Sequence, residues 1–424
     1  MERLLQYIWQ YRLFTSADLM TADGVAVTVI DPGIRNTDAG PDFHNAKVKI
    51  GGTIWAGNVE IHCKASEWKN HHHDRDTLYD SVILHVVEED DYVVHRSNGE
   101  VIPQVKMRIP DAIRRNMDWL LLRQTSLPCA ERIREVDHLH IANWMTSMLT
   151  ERLERKVTDI LALLEQNKDD WNEVFYIILT RSFGFGSNSD AFEYLAKSLP
   201  FKYIRKQRGN SLQIEALLFG QAGLLEESRD DPYYQALQQE YRFLQQKYGL
   251  TPVKYGAIKQ LRMRPINFPH LRLAQLAAIW THTDTLFSRI LEDRQPETLR
   301  SCFDVELPEY WDTHYHFSFP SPAKKKTIGR SATNSILINA VAPTLFAYGK
   351  KQQKPDFCDK AIELLEQIPP ERNSLVTLFT DAGVKVGNAC DTQALIQLRR
   401  EYCEKKKCLY CRIGFYLIKG GVSR

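Results

Sequence analysis

No uninterrupted apolar run in the 424-residue chain approaches the ~20 residues that a membrane-spanning helix needs, so the sequence offers no bilayer-spanning segment. The N-terminal stretch MERLLQYIWQYRLF lacks the basic head, apolar middle and small-residue cleavage site of a secretion signal. Its apolar residues recur instead with a period near 3.6 among charges, the pattern of an amphipathic helix. A cytoplasmic protein with no membrane partner is the expectation. There is no fixed-period repeat and no low-complexity tract. RSFGFGSNSDAF carries two glycines but not the G-x-x-x-x-G-K-S/T spacing of a nucleotide-binding loop, and neither G-x-S-x-G nor H-E-x-x-H occurs. Charge of one sign is lacking too: 55 Lys and Arg against 53 Asp and Glu leave a formal net charge of +2. Nucleic-acid binding by a global basic field is thereby excluded. Local clusters remain at Lys202 to Arg208, Arg262 to Arg272, Lys324 to Lys326 and Lys405 to Lys407, each by itself ordinary for a solvated face.

What is there falls into three textures. The first ~110 residues combine one helix with strand-like runs (VAVTVIDPG, AKVKIGG, TIWAGNVEIHC, SVILHVVEE, DYVVHR and PQVKMRI) that are β-branched or alternating and bounded by turn residues. From about Asp137 the pattern becomes helical, with leucines and aromatics three and four residues apart, as far as roughly Asp293. RQPETLRSCFDVELPEYWD then breaks the periodicity with prolines, and helical patterns resume from about Thr333. The reading is α+β: a mixed-sheet domain over 1–115, a helical domain over 130–295 and a helical C-terminal region over 325–424.

Chemistry concentrates in GPDFHNAKVKIGGTIWAGNVEIHCKASEW, which starts at Gly40. Side chains alternate faces along a strand, so Glu60, His62 and Lys64 share one face while Val59 and Ile61 point to the other. Asp42 opens the preceding strand, and a hairpin would bring the two carboxylates together. Paired carboxylates suit a hard cation such as Mg²⁺ or Mn²⁺ that keeps waters for a substrate phosphate. A neighbouring basic group could hold the attacking water or stabilise charge developing on a scissile phosphate.

Pro41-Asp42 followed by Glu60-Ile61-His62 resembles the PD-(D/E)xK nuclease superfamily, which includes restriction-type endonucleases, junction resolvases and repair exonucleases. The resemblance implies a mixed sheet flanked by helices, with an N-terminal helix ahead of the strands. Asp42 and Glu60 would be the metal ligands, and His62 would stand where the superfamily usually has lysine. Lys64, on the same face, is the other basic residue within reach. The chain as a whole also resembles a bacterial protein family of unknown function. The matching stretches are GPDFHNAKVKIGGTIWAGNVEIHCKASEW, the segment ending SVILHVV, RMRPINFPHLRLAQLA, INAVAPTLFAYG and YCEKKKCLYCRIGFYL.

Four further histidines stand out. His71, His72 and His73, followed by Asp74, form a solvated loop, bind Zn²⁺ or Ni²⁺, or touch substrate phosphate. His85, inside the apolar VILHVV, is either a core histidine satisfied by one hydrogen bond or a residue that orients a ligand from behind. Eight cysteines in a reducing compartment are thiols or metal ligands and not disulfides. Cys403, Cys408 and Cys411 crowd together, with Cys390 upstream as a fourth candidate for Zn²⁺ or an iron–sulfur cluster; buried thiols on a helix are the alternative. This group is similar in outline to nucleases of the same superfamily whose C-terminal cysteines hold a [4Fe–4S] cluster, although in those a first cysteine precedes the nuclease core and none occurs here before Cys63. Arg262, Arg264, His270 and Arg272 surround two prolines and would either bind phosphates at a helix start or pair with acidic neighbours.

The functional expectation is a metal-dependent, nuclease-like protein acting on DNA or RNA. Two alternatives stay open: a scaffold that binds nucleic acid or protein and retains the fold without the reaction, and acid/base chemistry on a small molecule through His62 and His85.

Overall fold

The computed structural model describes every residue except 1, 15–18, 254–257, 261–262, 294 and 421–424. The chain is mixed α+β and divides into two compact units, Met1–Trp144 with Arg400–Arg424, and Met145–Arg399. Residues 400–424 thus group with the N-terminal sheet, where the sequence placed them in a helical C-terminal region. The reason is packing: Ile418 lies fully buried in the same apolar cluster as Leu5, Ile61 and Met117.

The first unit opens with α1 (Glu2–Gln10) and continues through β1 (Val27–Asp31), β2 (Ile34–Arg35), β3 (Phe43–Ile50), β4 (Thr53–Lys64), α2 (Glu67–Asn70), β5 (Val82–Glu89), β6 (Gln104–Lys106) and α3 (Asp111–Leu121). The sheet order is β1-β3-β4-β5-β6, with the short β2 also paired to β3. β3 is antiparallel to β1 and to β4, whereas β4, β5 and β6 run parallel. Ile50 pairs with Thr53 across the Gly51-Gly52 turn. Gly51 sits at φ +57, a left-handed conformation that a two-residue hairpin favours and that glycine adopts without steric cost.

That hairpin fixes the alternation of β4. Val59 and Ile61, both fully buried, join Leu5, Ile8 and Trp9 of α1 in the main core. The opposite face carries a smaller cluster of Trp68, Tyr79, Val82, Val94 and Ile102, beside which the polar residues collect. Of the expected strands, DYVVHR contributes only an isolated bridge between His95 and Val101. The HHHDRDTLYD stretch resolves into turns after α2 and a short 3-10 turn at Thr77–Tyr79.

The helical texture begins at α4 (His138–Gln166), one residue after the expected start. Among its described residues the second unit is built of helices, apart from a small hairpin of His314–His316 with Phe319–Pro320, which the proline-rich sequence did not announce. Among the described residues no helix is long and apolar enough to cross a membrane.

Candidate metal centre on the sheet

Asp42 stands immediately before β3 and Glu60 lies in β4, and the Phe43 to Val59 pairing brings them together. The Asp42 backbone N–H donates to Glu60 Oε2 at 2.9 Å, and the Ile61 N–H donates to Asp42 Oδ2 at 3.1 Å. Asp42 Oδ1 accepts from Gln6 Nε2 of α1 at 2.7 Å; Arg35 in turn donates to Gln6 Oε1 at 3.0 Å. The other oxygen of Glu60, Oε1, lies 3.5 Å from His62 Nε2 and 3.5 Å from His73 Nε2. His71 Nδ1 is 3.2 Å from that same His62 nitrogen. His62, His71 and His73 present one ligand atom each, all within 4.8 Å of one another.

The turn after α2 makes this convergence possible. His72 takes φ +62, a left-handed conformation that non-glycine residues seldom adopt outside functional turns. It leaves His72 exposed while His71 and His73, on either side, reach the same centre. The His73 ring stacks on Tyr79 at 3.7 Å, and Trp68 meets the rings of His73 and His85 edge-on at 5.4 and 5.2 Å.

A hydrogen-bonded chain fixes which nitrogen of His62 faces the centre. Gln104 Nε2 donates to the Asp90 carboxylate and to the Tyr92 carbonyl, so its Oε1 is the atom 2.8 Å from His85 Nδ1 and must accept. His85 therefore carries its proton on Nδ1, and its Nε2 accepts from His62 Nδ1 at 2.9 Å. The lone pair of His62 Nε2 is left pointing at Glu60, His71 and His73. Metal-binding histidines are oriented by partners of this kind.

Electrostatics support the same assignment. Burial, and then the Glu60 charge, push the Asp42 carboxyl up to about 7. Burial pushes Glu60 up to about 8. Burial lowers His62 to about 2 and His85 to about 4, with the other imidazoles adding to the His62 shift; burial also lowers His73. Two carboxyls that resist ionisation beside neutral imidazoles form a set that a divalent cation satisfies. Donors about 2.0–2.2 Å from one ion stand about 3.0–3.5 Å apart, the range of the Glu60–His62, Glu60–His73 and His62–His71 separations. Imidazole nitrogens favour Fe²⁺ or Zn²⁺ over Mg²⁺ and Mn²⁺, which suit oxygen donors.

Among the residues singled out from sequence, Asp42, Glu60 and His62 come together, and His85 lies directly behind His62. Lys64 does not join them: its Nζ pairs with Glu89 at 2.9 Å, with both side chains more than half exposed. Cys403, Cys408 and Cys411 line one cavity. Cys390 belongs to the helix Ala389–Gln397 in the second unit, where its thiol faces the Ile362 carbonyl at 3.8 Å. In the arginine tract, Arg272 is buried and donates to Gln275 and Asn267 at 2.9 and 2.7 Å, His270 is buried, Arg264 is exposed, and Arg262 lies outside the described residues. The pairing of Arg272 is internal and involves amides, where acidic partners or phosphate were expected. Sequence reasoning missed the ligand geometry of His71 and His73 and the roles of Gln6 and Gln104. The H-x-H spacing was the one signal for the first pair.

A family model described as "Protein of unknown function (DUF2851)" matches residues 2–374. The matched span takes in Asp42, Glu60 and every histidine of the site and ends before Cys403. No curated protein and no solved structure matches the chain.

Proposed function

We propose that this chain, which belongs to the DUF2851 family, is a metal-dependent hydrolase of the nuclease type, with its cation held by Glu60, His62, His71 and His73. The observation that carries the reading is that the ring nitrogens of His62 and His73 each stand 3.5 Å from one oxygen of the buried Glu60, with His71 Nδ1 3.2 Å from the same His62 nitrogen. A divalent cation there would lower the pKa of a bound water and supply the hydroxide that attacks phosphorus. Asp42 contributes the second carboxylate, and its own backbone N–H steadies Glu60. His85 and Gln104 hold His62 in the tautomer that keeps its inner nitrogen unprotonated. The phosphodiester substrate rests on the nuclease resemblance of Asp42 and Glu60, and the helix ahead of a mixed sheet supports it.

The test uses protein purified without a histidine tag. Bound metal is measured by mass spectrometry, and hydrolysis of single-stranded, duplex and branched DNA and RNA is followed with Mn²⁺ or Zn²⁺ added. Activity that is lost in Glu60→Gln supports the reading; full activity in that variant overturns it.

A second reading has one observation in its favour. Neutral His62 and the Lys64–Glu89 pair leave the site without the cationic side chain that the nuclease pattern places there. A binding scaffold would retain nucleic acid in the presence of a chelator and cleave none of it.

A further inference from the structure

We propose that Cys129, Cys403, Cys408 and Cys411 together hold an iron–sulfur cluster, with Cys129 in place of Cys390 as the fourth ligand. The four residues come from two stretches of sequence within the first unit, Cys129 from one and the other three from 403–411, and line a single cavity together with Leu120 and Gly414. The cavity has a volume of about 20 Å³. None of the cysteines is in a disulfide.

The local backbone is arranged around the sulfurs. Cys403 ends the wide helical turn Leu398–Cys403, Cys408 begins the 3-10 turn Cys408–Tyr410, and Cys411 is the N-cap of the helix Arg412–Lys419. Gly414 lets that helix approach closely: a Cβ there would stand 2.1 Å from the Cys408 carbonyl oxygen. Burial pushes the Cys411 thiol up, and the backbone N–H groups of Gly414 and Ile413 and the indole N–H of Trp144 act against that rise. Trp144 is 7% exposed, and its indole nitrogen has no oxygen or nitrogen partner within hydrogen-bonding distance. An N–H group buried beside a neutral thiol is poorly satisfied, whereas a metal-bound thiolate is the acceptor it lacks.

Spacing separates a cluster from a single ion. Zinc gathers its sulfurs about 2.3 Å from one point, which puts them roughly 3.8 Å apart. Among the described residues, the three-donor group whose atoms lie within 4.8 Å of each other is the histidine trio, not any three of these thiols. The cysteines stand wider and surround a void, as the four ligands of an iron–sulfur cube do.

A cluster at this point also acts on the sheet. Tyr410, between Cys408 and Cys411, accepts a hydrogen bond from Arg35 at 2.6 Å. Arg35 donates to Gln6, and Gln6 to Asp42, at 3.0 and 2.7 Å. The cysteine segment therefore braces the carboxylate pair through three side chains. The proposal stands apart from the hydrolase reading, because it requires only the thiols.

The experiment is anaerobic purification of the full chain, followed by measurement of iron, zinc and acid-labile sulfide and by visible absorption and electron paramagnetic resonance after reduction. About four iron and four sulfide per chain are expected, with sulfur-to-iron charge-transfer absorption. Cys129→Ser should lose most of that absorption while Cys390→Ser and His62→Ala keep it. Should Cys129→Ser fail to fold, the stoichiometry of the wild-type chain and the result for Cys390→Ser still decide. Stoichiometric zinc, an iron-free folded protein, or loss of the cluster in Cys390→Ser overturns the proposal.

Discussion

The two units bury ionisable side chains in opposite ways. In the helical unit Glu215, Lys326 and Arg272 are answered locally. Glu215 accepts from the Tyr233 hydroxyl at 2.8 Å and the Trp311 indole N–H at 3.2 Å. Lys326 donates to the carbonyls of Trp311 and Asp312, both at 2.7 Å, and Arg272 donates to two amides. In the sheet unit several such groups share one point: Glu60 Oε1 lies 3.5 Å from His73 Nε2 and from His62 Nε2, whose proton has been committed to the far side of the ring. Burial alone does not distinguish the two, since it raises Glu215 to about 7 and Glu60 to about 8. Convergence does. A buried carboxylate with its own donors is part of the architecture, and one that shares a point with unprotonated imidazoles marks a binding site.

The largest effect that could break this contrast concerns activity. Glu60→Gln should reduce metal-dependent hydrolysis by more than the roughly 10–100-fold typical of losing an outer partner, while Glu215→Gln leaves the initial rate at the wild-type level. Equal losses in the two variants would erase the distinction. Next in size, Gln104→Ala frees His85 to change tautomer and should weaken metal binding by about 10–100-fold. Titration calorimetry with Mn²⁺ or Zn²⁺ measures this, and an unchanged affinity would show that the His62 tautomer is not set from behind.

A third prediction uses pH. A carboxyl raised in the folded state keeps a proton that the unfolded chain releases, so the stability it contributes is present at acid pH and lost as pH rises through its folded value. Metal-free protein should therefore lose stability as pH rises from about 6.5, above which the opposing term of unfolded histidine fades, to about 8, the value of Glu60. The slope is at most about 1.4 kcal/mol per pH unit for each proton. Saturating cation should cancel the share of Asp42 and Glu60 and leave that of Glu215, as seen in melting temperature against pH. The smallest effect belongs to Lys64. Its removal breaks an exposed pair with Glu89, and Lys64→Ala should leave both hydrolysis and melting temperature at wild-type values.

Much of the sheet face was legible in sequence. Alternation along β4 separates Glu60 and His62 from Val59 and Ile61 whatever the rest of the chain does, and the Gly-Gly turn sets the register that brings Asp42 alongside. The placing of His71 and His73 was not legible in the same way. Three histidines in a row between strands read as a polar loop, and the left-handed backbone at His72 that turns the two beside it toward one point depends on tertiary packing. Lys64 shows the limit of alternation: it shares a face with Glu60 and His62, but lies at the exposed end of β4 where Glu89 is the nearer partner. Cys390 was grouped with Cys403 by proximity in sequence, whereas Cys129 reaches the cavity from a loop after α3 that no spacing rule connects to it.

Ile418 carries one more consequence. Translation delivers α1 and every strand of the sheet early, yet the apolar cluster that closes on them includes a residue synthesised after the entire helical unit. A nascent chain must hold an unfinished sheet while several hundred residues follow, a period in which unpaired edges and uncovered leucines are open to chaperones or to misassembly. The sheet is made before the helical unit and finished after it.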